Sequence, residues 1–415
     1  MLLVSMEDLS SKLIFLFLIL FSTHDFGFCG DTCDPGDNSI CSQEPTSKSS
    51  VYAKEASYIV SEIEKAEKEF KPCHDPLSCY SPVIQADLKP FKGGITKDMI
   101  SEAEKKGTKY QIIDGQLYRS KDCMFPARCS GIEHFILNII AKLPDIEFII
   151  NTRDWPQIST HFDKPIPVFS FSKTRSYYDI MYPAWSFWSG GPAISLYPKG
   201  IGRWDVFRKA LKHATEKWPW NSKKPTAFFR GSRTSDERDQ LILLSRDSPD
   251  LVDAAFTKNQ AWKSDKDTLY APPAEEVSLE DHCKFKYLFN FRGVAASFRL
   301  KYLFLCKSLV FHVGDEWQEF FYPALKKWIH YIPVPTQATK SEIRALIEFF
   351  KEHDDLSRKI AERGHDFIAS NLKFKDIEWY WKTLLNKYAK LLTYKPTLDK
   401  TLILIERSSG PKTEL

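Results

Sequence analysis

The sequence predicts an α/β fold divided into two domains. Short apolar runs alternate with helical patterns through the second half of the chain, which is typical of a parallel sheet with right-handed crossovers. The 415 residues exceed the ~250 to 300 at which single hydrophobic cores stop growing. Aromatic residues form 14% of the chain, enough to supply large apolar area for core and pocket alike. We therefore expect two folded domains and little disorder outside the ends.

The periodicity of apolar residues places the expected elements. Strand-like runs occupy residues 146–150, 167–171, 227–229, 252–256, 284–291, 309–313 and 328–334. Helical spacing occupies residues 58–70, 131–142, 236–246, 294–306, 340–353, 355–371 and 374–393. Residues 31–55 are rich in Asp, Pro, Ser and Thr, so we expect order to begin near Tyr58.

Both ends of the chain carry signals of the secretory pathway. Residues 13–21 form an apolar run that fits the core of a signal peptide and is too short to span a bilayer. Residues 412–415 read Lys-Thr-Glu-Leu, close to the retrieval signal Lys-Asp-Glu-Leu. We expect a protein of the endoplasmic reticulum lumen that a retrieval receptor returns; an N-terminal membrane anchor is the alternative.

The nine cysteines are expected to be mostly bridged in that oxidising compartment. Connectivity does not follow from sequence, and local pairing is the simplest arrangement. We predict the disulfides Cys73–Cys79, Cys123–Cys129 and Cys283–Cys306. Cys33 and Cys41 can form a further pair, with Cys29 beside the expected cleavage point. The Cys and His spacings are not those of a zinc site.

The charge balance limits the class of ligand. The 58 Lys and Arg nearly balance the 54 Asp and Glu, which leaves a formal net charge of +4. So small an excess does not indicate a nucleic-acid-binding surface. An anionic ligand must therefore be bound by a few placed cations.

The first candidate phosphate site is the strand-to-helix corner at residues 229–238. It reads Phe-Arg-Gly-Ser-Arg-Thr-Ser-Asp-Glu-Arg, and Thr234 and Glu237 have the spacing of a capping box. A helix N-terminus beside several arginines is how proteins bind phosphate. The alternative is a solvated turn on which the arginines pair with the neighbouring carboxylates.

A second such corner lies at residues 290–299. Gly293, Ala295, Ala296 and Ser297 are small, so a phosphate could approach the backbone at the expected helix start, with Arg299 to neutralise it. Tight packing of the helix on the sheet is the alternative. Two corners of one character favour a nucleotide diphosphate site more strongly than either does alone.

Asp154 is the candidate catalytic base. Residues 151–154 are polar and follow a buried strand, at the kind of sheet edge where α/β proteins bind ligands. A serine hydroxyl acceptor would need a positioned carboxylate to take its proton. On spacing alone, capping of the turn is the commoner role for such an aspartate.

A metal site of the Asp-x-Asp type is not expected. The one match, Asp265-Lys-Asp267, lies in a Lys-flanked polar stretch rather than at the end of an apolar strand. We therefore expect catalysis without a metal or other cofactor.

Two further segments are candidates for acceptor binding. A disulfide between Cys123 and Cys129 would close a loop that presents Met, Phe, Pro and Arg, and exposed apolar residues on a rigid loop suit protein docking. Folding back onto the domain is the alternative. The aromatic residues of 184–188 could line a cleft or belong to the core.

Several segments together resemble one family, the protein O-glucosyltransferases of the Rumi type, within the group that carries a CAP10-like domain. The resemblance runs from about residue 58 to 393 and includes the retrieval-like tail. The matching stretches are 122–131 (Asp-Cys-Met-Phe-Pro-Ala-Arg-Cys-Ser-Gly), 153–157 (Arg-Asp-Trp-Pro-Gln), 168–174 (Val-Phe-Ser-Phe-Ser-Lys-Thr), 179–185 (Asp-Ile-Met-Tyr-Pro-Ala-Trp), 229–235, 257–262, 290–299 and 312–317 (His-Val-Gly-Asp-Glu-Trp).

The resemblance implies two Rossmann-like domains in a GT-B-like arrangement, with UDP-glucose in the cleft between them and no metal. It implies inverting transfer of glucose to the Ser of Cys-x-Ser-x-Pro/Ala-Cys in folded EGF-like repeats, such as those of Notch, by a chain that acts as a monomer. Transfer of xylose is an alternative. So is a non-catalytic lumenal protein that binds or chaperones EGF-like repeats.

The resemblance also assigns roles and boundaries. Asp154 is implied as the base. UDP-glucose binding is implied for Tyr197, Ser232, Arg238, Val294, Ala295, Ala296, Ser297, Phe298 and Arg299. Acceptor binding is implied for Met124, Phe125, Pro126, Ala127, Arg128, Ala193, Ile194, Ser195, Leu196 and Pro198. The expected segments are a signal peptide (1–28), a flexible leader (29–57), an acceptor domain (58–205), a UDP-sugar domain (206–373), a helix that returns to the acceptor domain (374–395) and a tail (396–415).

Overall fold

The computed structural model describes residues 47–258 and 262–407. The described residues from Ser50 onward pack as one compact unit. The expected signal peptide, Cys29, Cys33, Cys41 and the terminal Lys-Thr-Glu-Leu lie outside the described residues. None of the helices in 47–258 and 262–407 combines the length and the apolar character that crossing a membrane requires.

Helices and strands alternate through most of the described chain. The helices are α1 (Ser47–Glu69), α2 (Pro76–Leu88), α3 (Lys97–Ala103), α4 (Pro126–Ile139), α5 (Trp204–Lys217), α6 (Asp239–Asp247), α7 (Leu279–His282), α8 (Leu300–Leu305), α9 (Lys340–Glu352), α10 (Asp354–Asn371) and α11 (Phe374–Ala389). The strands are β1 (Thr108–Ile113), β2 (Gln116–Arg119), β3 (Ile146–Ile150), β4 (Val168–Ser170), β5 (Ser172–Lys173), β6 (Ile180–Met181), β7 (Lys224–Gly231), β8 (Val252–Phe256), β9 (Phe285–Asn290), β10 (Leu309–Val313), β11 (Gln318–Glu319), β12 (Ile332–Val334) and β13 (Ile403–Ile405).

The strands of the second half form a parallel sheet in the order β12-β10-β9-β7-β8. The central strand β9 is buried on both faces, since its successive residues enter different apolar clusters: Leu288 joins one cluster and Phe289 the other. All the strands run the same way, so their carboxyl ends meet at one edge. The alternating pattern in the sequence correctly predicted an α/β fold with this parallel sheet.

A mixed sheet carries the strands of the first half, in the order β13-β2-β1-β3-β4-β6. The strands β3, β4 and β6 are parallel, whereas β1 and β2 run antiparallel to their neighbours. The chain returns to this sheet at its end: α11 packs against α2 and α4, and Ile403 of β13 lies opposite Arg119 of β2. The expected tail therefore contains a strand.

Several expected boundaries need correction. Strand 328–334 is shorter than predicted, because Trp328 has a φ of +65°, outside the extended region, and β12 begins at Ile332. Helix α1 begins at Ser47 rather than near Tyr58. Helix α8 begins at Leu300 rather than at Val294. The strands β8 and β10 have the predicted bounds.

The three predicted disulfides are confirmed. Cys73–Cys79 precedes and enters α2, Cys123–Cys129 closes the loop into α4, and Cys283–Cys306 joins the end of α7 to the end of α8. The last of these is fully buried at both half-cystines, beneath the parallel sheet.

Candidate active site

A cavity of about 950 Å³ lies where the carboxyl ends of β7, β8 and β9 meet the segment that follows β3. Its lining includes most of the residues singled out above: Arg128, Asp154, Ala193, Ile194, Ser195, Tyr197, Pro198, Ser232, Arg238, Val294, Ala295, Ala296, Ser297, Phe298 and Arg299. The structure therefore brings together residues that are as far apart in sequence as Arg128 and Arg299.

Asp154 lies on the turn that leaves β3, and side-chain bonds fix this turn. The Asn151 amide donates to the carbonyl of Trp155 (2.8 Å), and the backbone N–H of Arg153 donates to Asn151 Oδ1 (2.9 Å). The Asp154 carboxylate is 40% exposed, and Arg128 Nη1 lies 3.1 Å from its Oδ1. A carboxylate that is held in place yet open to the cavity can accept a proton from a bound molecule.

In the loop closed by Cys123 and Cys129, one side chain faces the cavity and others face solvent. Arg128 faces the cavity, with its guanidinium 4.3 Å from the Phe125 ring centroid. The Met124 and Phe125 side chains are exposed to solvent. Pro126 and Ala127 begin α4 and are not among the residues that line the cavity. The exposed part of the loop remains available to a docked protein.

Two buried arginines form the cationic wall of the cavity. Arg238 donates to the carbonyls of Ser232 and Arg292, and Arg299 donates to the carbonyl of Arg230. Neither guanidinium forms a salt bridge within residues 47–258 and 262–407. Burial and then the charge of Arg299 lower the pKa of Arg238 to about 9, and burial lowers that of Arg299 to about 10. This uncompensated positive charge favours a diphosphate ligand.

The first corner differs locally from the prediction. Helix α6 begins at Asp239, and the expected capping box is absent because the Glu237 carboxylate accepts from Arg292 Nε (2.7 Å). Arg233 Nε donates to Asp239 (2.8 Å). The alternative of paired arginines thus holds for Arg233, and Arg230 pairs with Asp253 of β8, whereas Arg238 remains unpaired with any carboxylate of the described chain.

The second corner is a loop and not the start of a helix. Its backbone is held by tertiary bonds: Ser297 Oγ donates to Asn290 Oδ1 (2.7 Å), and Tyr322 OH donates to the Ser297 carbonyl (3.0 Å). The Asn290 amide in turn donates to His312 Nδ1 (2.8 Å). We call residues 293–299 the 293–299 loop. Asn290 also lines the cavity, although its only predicted role was to begin this corner.

Hydrogen bonds join residues 193–198 to the segment 276–280. The Tyr197 hydroxyl donates to Glu280 (2.8 Å) and accepts from the backbone N–H of Leu279 (2.9 Å). The backbone N–H of Leu196 donates to Glu276 (3.2 Å), while its side chain is exposed and does not line the cavity. Sequence reasoning missed Glu276 and Glu280, since no local motif marks them.

Asp265 and Asp267 lie away from the cavity lining. They belong to a short 3-10 helix in which the Asp267 carboxylate accepts from the backbone N–H groups of Lys263 and Ser264. No group of three or more His, Cys, Asp or Glu in the described ranges has the arrangement of a metal site.

Comparison with known proteins places the chain in a family. The model of Glycosyl transferase family 90 matches residues 73–410. The O-glucosyltransferase rumi homolog of Aedes aegypti is 56% identical over 96% of this chain and 98% of its own length. Protein O-glucosyltransferase 1 of Bos taurus is 59% identical over 82% and 88%. O-glucosyltransferase rumi of Drosophila melanogaster is 57% identical over 85% and 87%.

Among solved structures, Anabaena HepE in complex with UDP and glucose is similar at 12% identity and a TM-score of 0.31, covering 43% of this chain and 52% of that chain. A likeness of this extent supports no inference about the site. The sequence relatives do decide the family: the chain belongs to Glycosyl transferase family 90 and, within it, to the protein O-glucosyltransferases of the Rumi type.

Proposed function

We propose that this protein transfers glucose from UDP-glucose to the serine of Cys-x-Ser-x-Pro/Ala-Cys in folded EGF-like repeats, with inversion at the anomeric carbon. The observation that carries the proposal is that a carboxylate, Asp154, lines one cavity with Arg238 and Arg299, two arginines that form no salt bridge with a described residue. Its volume of about 950 Å³ is in the range of small-molecule sites. The names of the rumi and protein O-glucosyltransferase 1 relatives indicate glucose as the transferred sugar and a protein as its acceptor.

The donor would bind along the cationic wall. Arg238 and Arg299 face the diphosphate, and the 293–299 loop offers small residues that let it approach the backbone. Ser232 and Tyr197 are further donor contacts in the same cavity. As the bond to UDP breaks, negative charge grows on the leaving diphosphate, and the two arginines stabilise it without a metal.

The acceptor would enter beside Asp154. Its serine hydroxyl gives its proton to the Asp154 carboxylate while its oxygen attacks the anomeric carbon from the face opposite UDP. The exposed side chains of Met124, Phe125 and Leu196 belong to two segments that contribute other residues to the cavity lining, and they suit contact with a folded protein domain.

The proposal extends to architecture and location. We propose that the mixed sheet and the parallel sheet are the cores of two Rossmann-like domains in a GT-B arrangement, divided near residue 205. We further propose that the protein is a monomer of the endoplasmic reticulum lumen, retrieved through its terminal Lys-Thr-Glu-Leu.

The deciding experiment incubates the purified chain with a folded EGF-like repeat and either UDP-glucose or UDP-xylose, followed by mass spectrometry of the repeat. The proposal expects addition of one hexose from UDP-glucose. Asp154→Asn should abolish transfer while calorimetry still detects UDP binding. Pentose transfer alone would establish a xylosyltransferase, and binding of the repeat without any transfer would establish a non-catalytic lumenal protein.

A further inference from the structure

A buried lysine and a buried glutamate lie behind the wall of the cavity. Lys301, in α8, and Glu319, in β11, are both fully excluded from solvent. Both oxygens of the Glu319 carboxylate lack a hydrogen-bond donor in the described chain. Burial raises the pKa of Glu319 and lowers that of Lys301, and the opposite charge of each residue opposes the shift of the other. Burial of two charges is unfavourable unless they compensate each other, so the presence of Lys301 and Glu319 in the interior requires a functional or structural explanation.

Lys301 holds the end of the 293–299 loop. Its Nζ donates to the carbonyl of Phe298 (2.9 Å) and lies 4.8 Å from the ring centroids of Phe187 and Tyr302. Aromatic faces stabilise a buried ammonium group, so the charge is kept at this point. The Phe298 side chain itself lines the cavity.

Glu319 lies behind the facing part of the same wall. In the β5–β11 pair it is opposite Ser172, the residue after Phe171. The ring of Phe171 stacks on that of Phe298, with centroids 4.9 Å apart and an angle of 14° between the planes. Phe171 follows β4 of the mixed sheet, whereas Phe298 follows β9 of the parallel sheet. The stacked pair thus joins segments of both sheets; Lys301 lies beside Phe298, and Glu319 lies opposite the residue that follows Phe171.

We propose that Lys301 is a positioning residue for the sugar nucleotide. Lys301 fixes the Phe298 backbone, and Glu319 is the counterion of this buried charge. Through Phe298, whose ring stacks on that of Phe171, Lys301 sets the width of the cavity where the donor binds. Neither residue touches the ligand. This inference rests on the proposed donor site and adds a residue that acts on it indirectly.

The test measures UDP affinity by calorimetry and stability by thermal unfolding in a double-mutant cycle. Lys301→Met keeps the length of the side chain but removes the charge and the donor. It should weaken UDP binding about tenfold, as expected for loss of a charged hydrogen bond that orders the loop. Glu319→Gln keeps the Phe298 bond and should change UDP affinity by less than about threefold, while lowering stability.

The double variant separates positioning from folding. Lys301→Met with Glu319→Gln should recover thermal stability relative to Lys301→Met alone, because no charge is left buried without a partner. Its UDP affinity should stay about tenfold reduced, because the Phe298 carbonyl still lacks its donor. The matched control is Lys223→Met, which removes another buried lysine, one that donates to the carbonyls of Cys283 and Cys306 outside the cavity lining. It should lower stability and leave UDP affinity unchanged.

Four results would count against the inference. Wild-type UDP affinity in the double variant would show that Lys301 only stabilises the fold. Equal loss of affinity in Lys223→Met would show a general effect of buried lysines. A wild-type chain that binds no UDP would refute the proposed function and this inference together, whereas UDP binding that Lys301→Met leaves unchanged would refute this inference alone.

Discussion

Arg128 holds Asp154 from a different segment of the chain. Its Nη1 lies 3.1 Å from Asp154 Oδ1 and also donates to the carbonyl of Thr152 (2.6 Å), so one guanidinium orients both the carboxylate and the turn that carries it. The guanidinium is 4.4 Å from the Trp185 ring centroid, which fixes its own position. The residue expected to contact the acceptor is thus also the residue that orients the proposed base.

Replacement of Arg128 by Gln should lower kcat about a hundredfold, because a reacting group misplaced by about 1 Å can lose that factor. Initial rates at saturating donor and acceptor would measure it. The control is Arg153→Gln, since Arg153 neighbours Asp154 in sequence but is exposed, and its guanidinium forms only long hydrogen bonds of 3.4 Å, to Lys106 and Gln157, among the described residues. A wild-type rate in Arg128→Gln would show that Asp154 needs no such partner.

Arg238→Gln should raise the KM for UDP-glucose about tenfold or more, because a buried charge-assisted contact to the diphosphate is lost. The KM for the acceptor repeat should change little. Arg246→Gln is the matched control: Arg246 also donates to two backbone carbonyls, those of Thr268 and Leu269, but does not line the cavity. Equal effects of the two substitutions on KM would contradict a role for Arg238 in donor binding.

Stability should fall in acid, in part through His312. Burial lowers the pKa of His312 from its ordinary 6.5 to about 4, so between these values the unfolded chain binds a proton that the folded protein does not. Stability is therefore lost as the pH falls through that window, by about 2 kcal/mol between pH 7 and pH 5 for this residue.

Urea unfolding at both pH values measures this contribution. In His312→Gln the free energy of unfolding should depend on pH less steeply by that amount. The control variant is His213→Gln, which removes a histidine whose side chain is 81% exposed. Parallel slopes for wild type and His312→Gln would contradict the assignment.

Removal of the Cys283–Cys306 disulfide by double alanine substitution should reduce the free energy of unfolding by about 3 kcal/mol, and removal of Cys73–Cys79 by about 2 kcal/mol. The difference follows from the length of the closed loop, with sequence separations of 23 and 6 residues. Urea unfolding of both variants would check the order. A larger loss for the shorter loop would show that strain or residual structure outweighs chain entropy.

The helices and strands were predicted most accurately from the sequence where all their residues are buried. The strands β3 and β10 are buried along their whole length, and their limits were predicted to the residue. The residue types of the donor site were also readable, since glycine, small residues and arginine at a strand end point to phosphate. The disulfides followed from local spacing, because each joins segments that are close in the chain.

Interactions between segments that are distant in sequence could not be predicted from the sequence. The expected capping box at Thr234 is replaced by the bond from Arg292 to Glu237, 55 residues apart, and the helix expected from Val294 is replaced by bonds to Asn290 and Tyr322. Local propensity is weak enough that one such tertiary bond decides the conformation of a corner. The burial of Glu319 could not be predicted, because no local sequence pattern distinguishes a buried glutamate from an exposed one.

The strand β13 determines when the mixed sheet can be completed during synthesis. Ile403 to Ile405 pair with β2 of the sheet that carries the Asp154 turn, and they are synthesised long after β2 itself. The parallel sheet can assemble first, but the edge formed by β2 stays unpaired until β13 has been synthesised. Another strand can add to an unpaired edge, so folding of this protein should depend on chaperones during that interval.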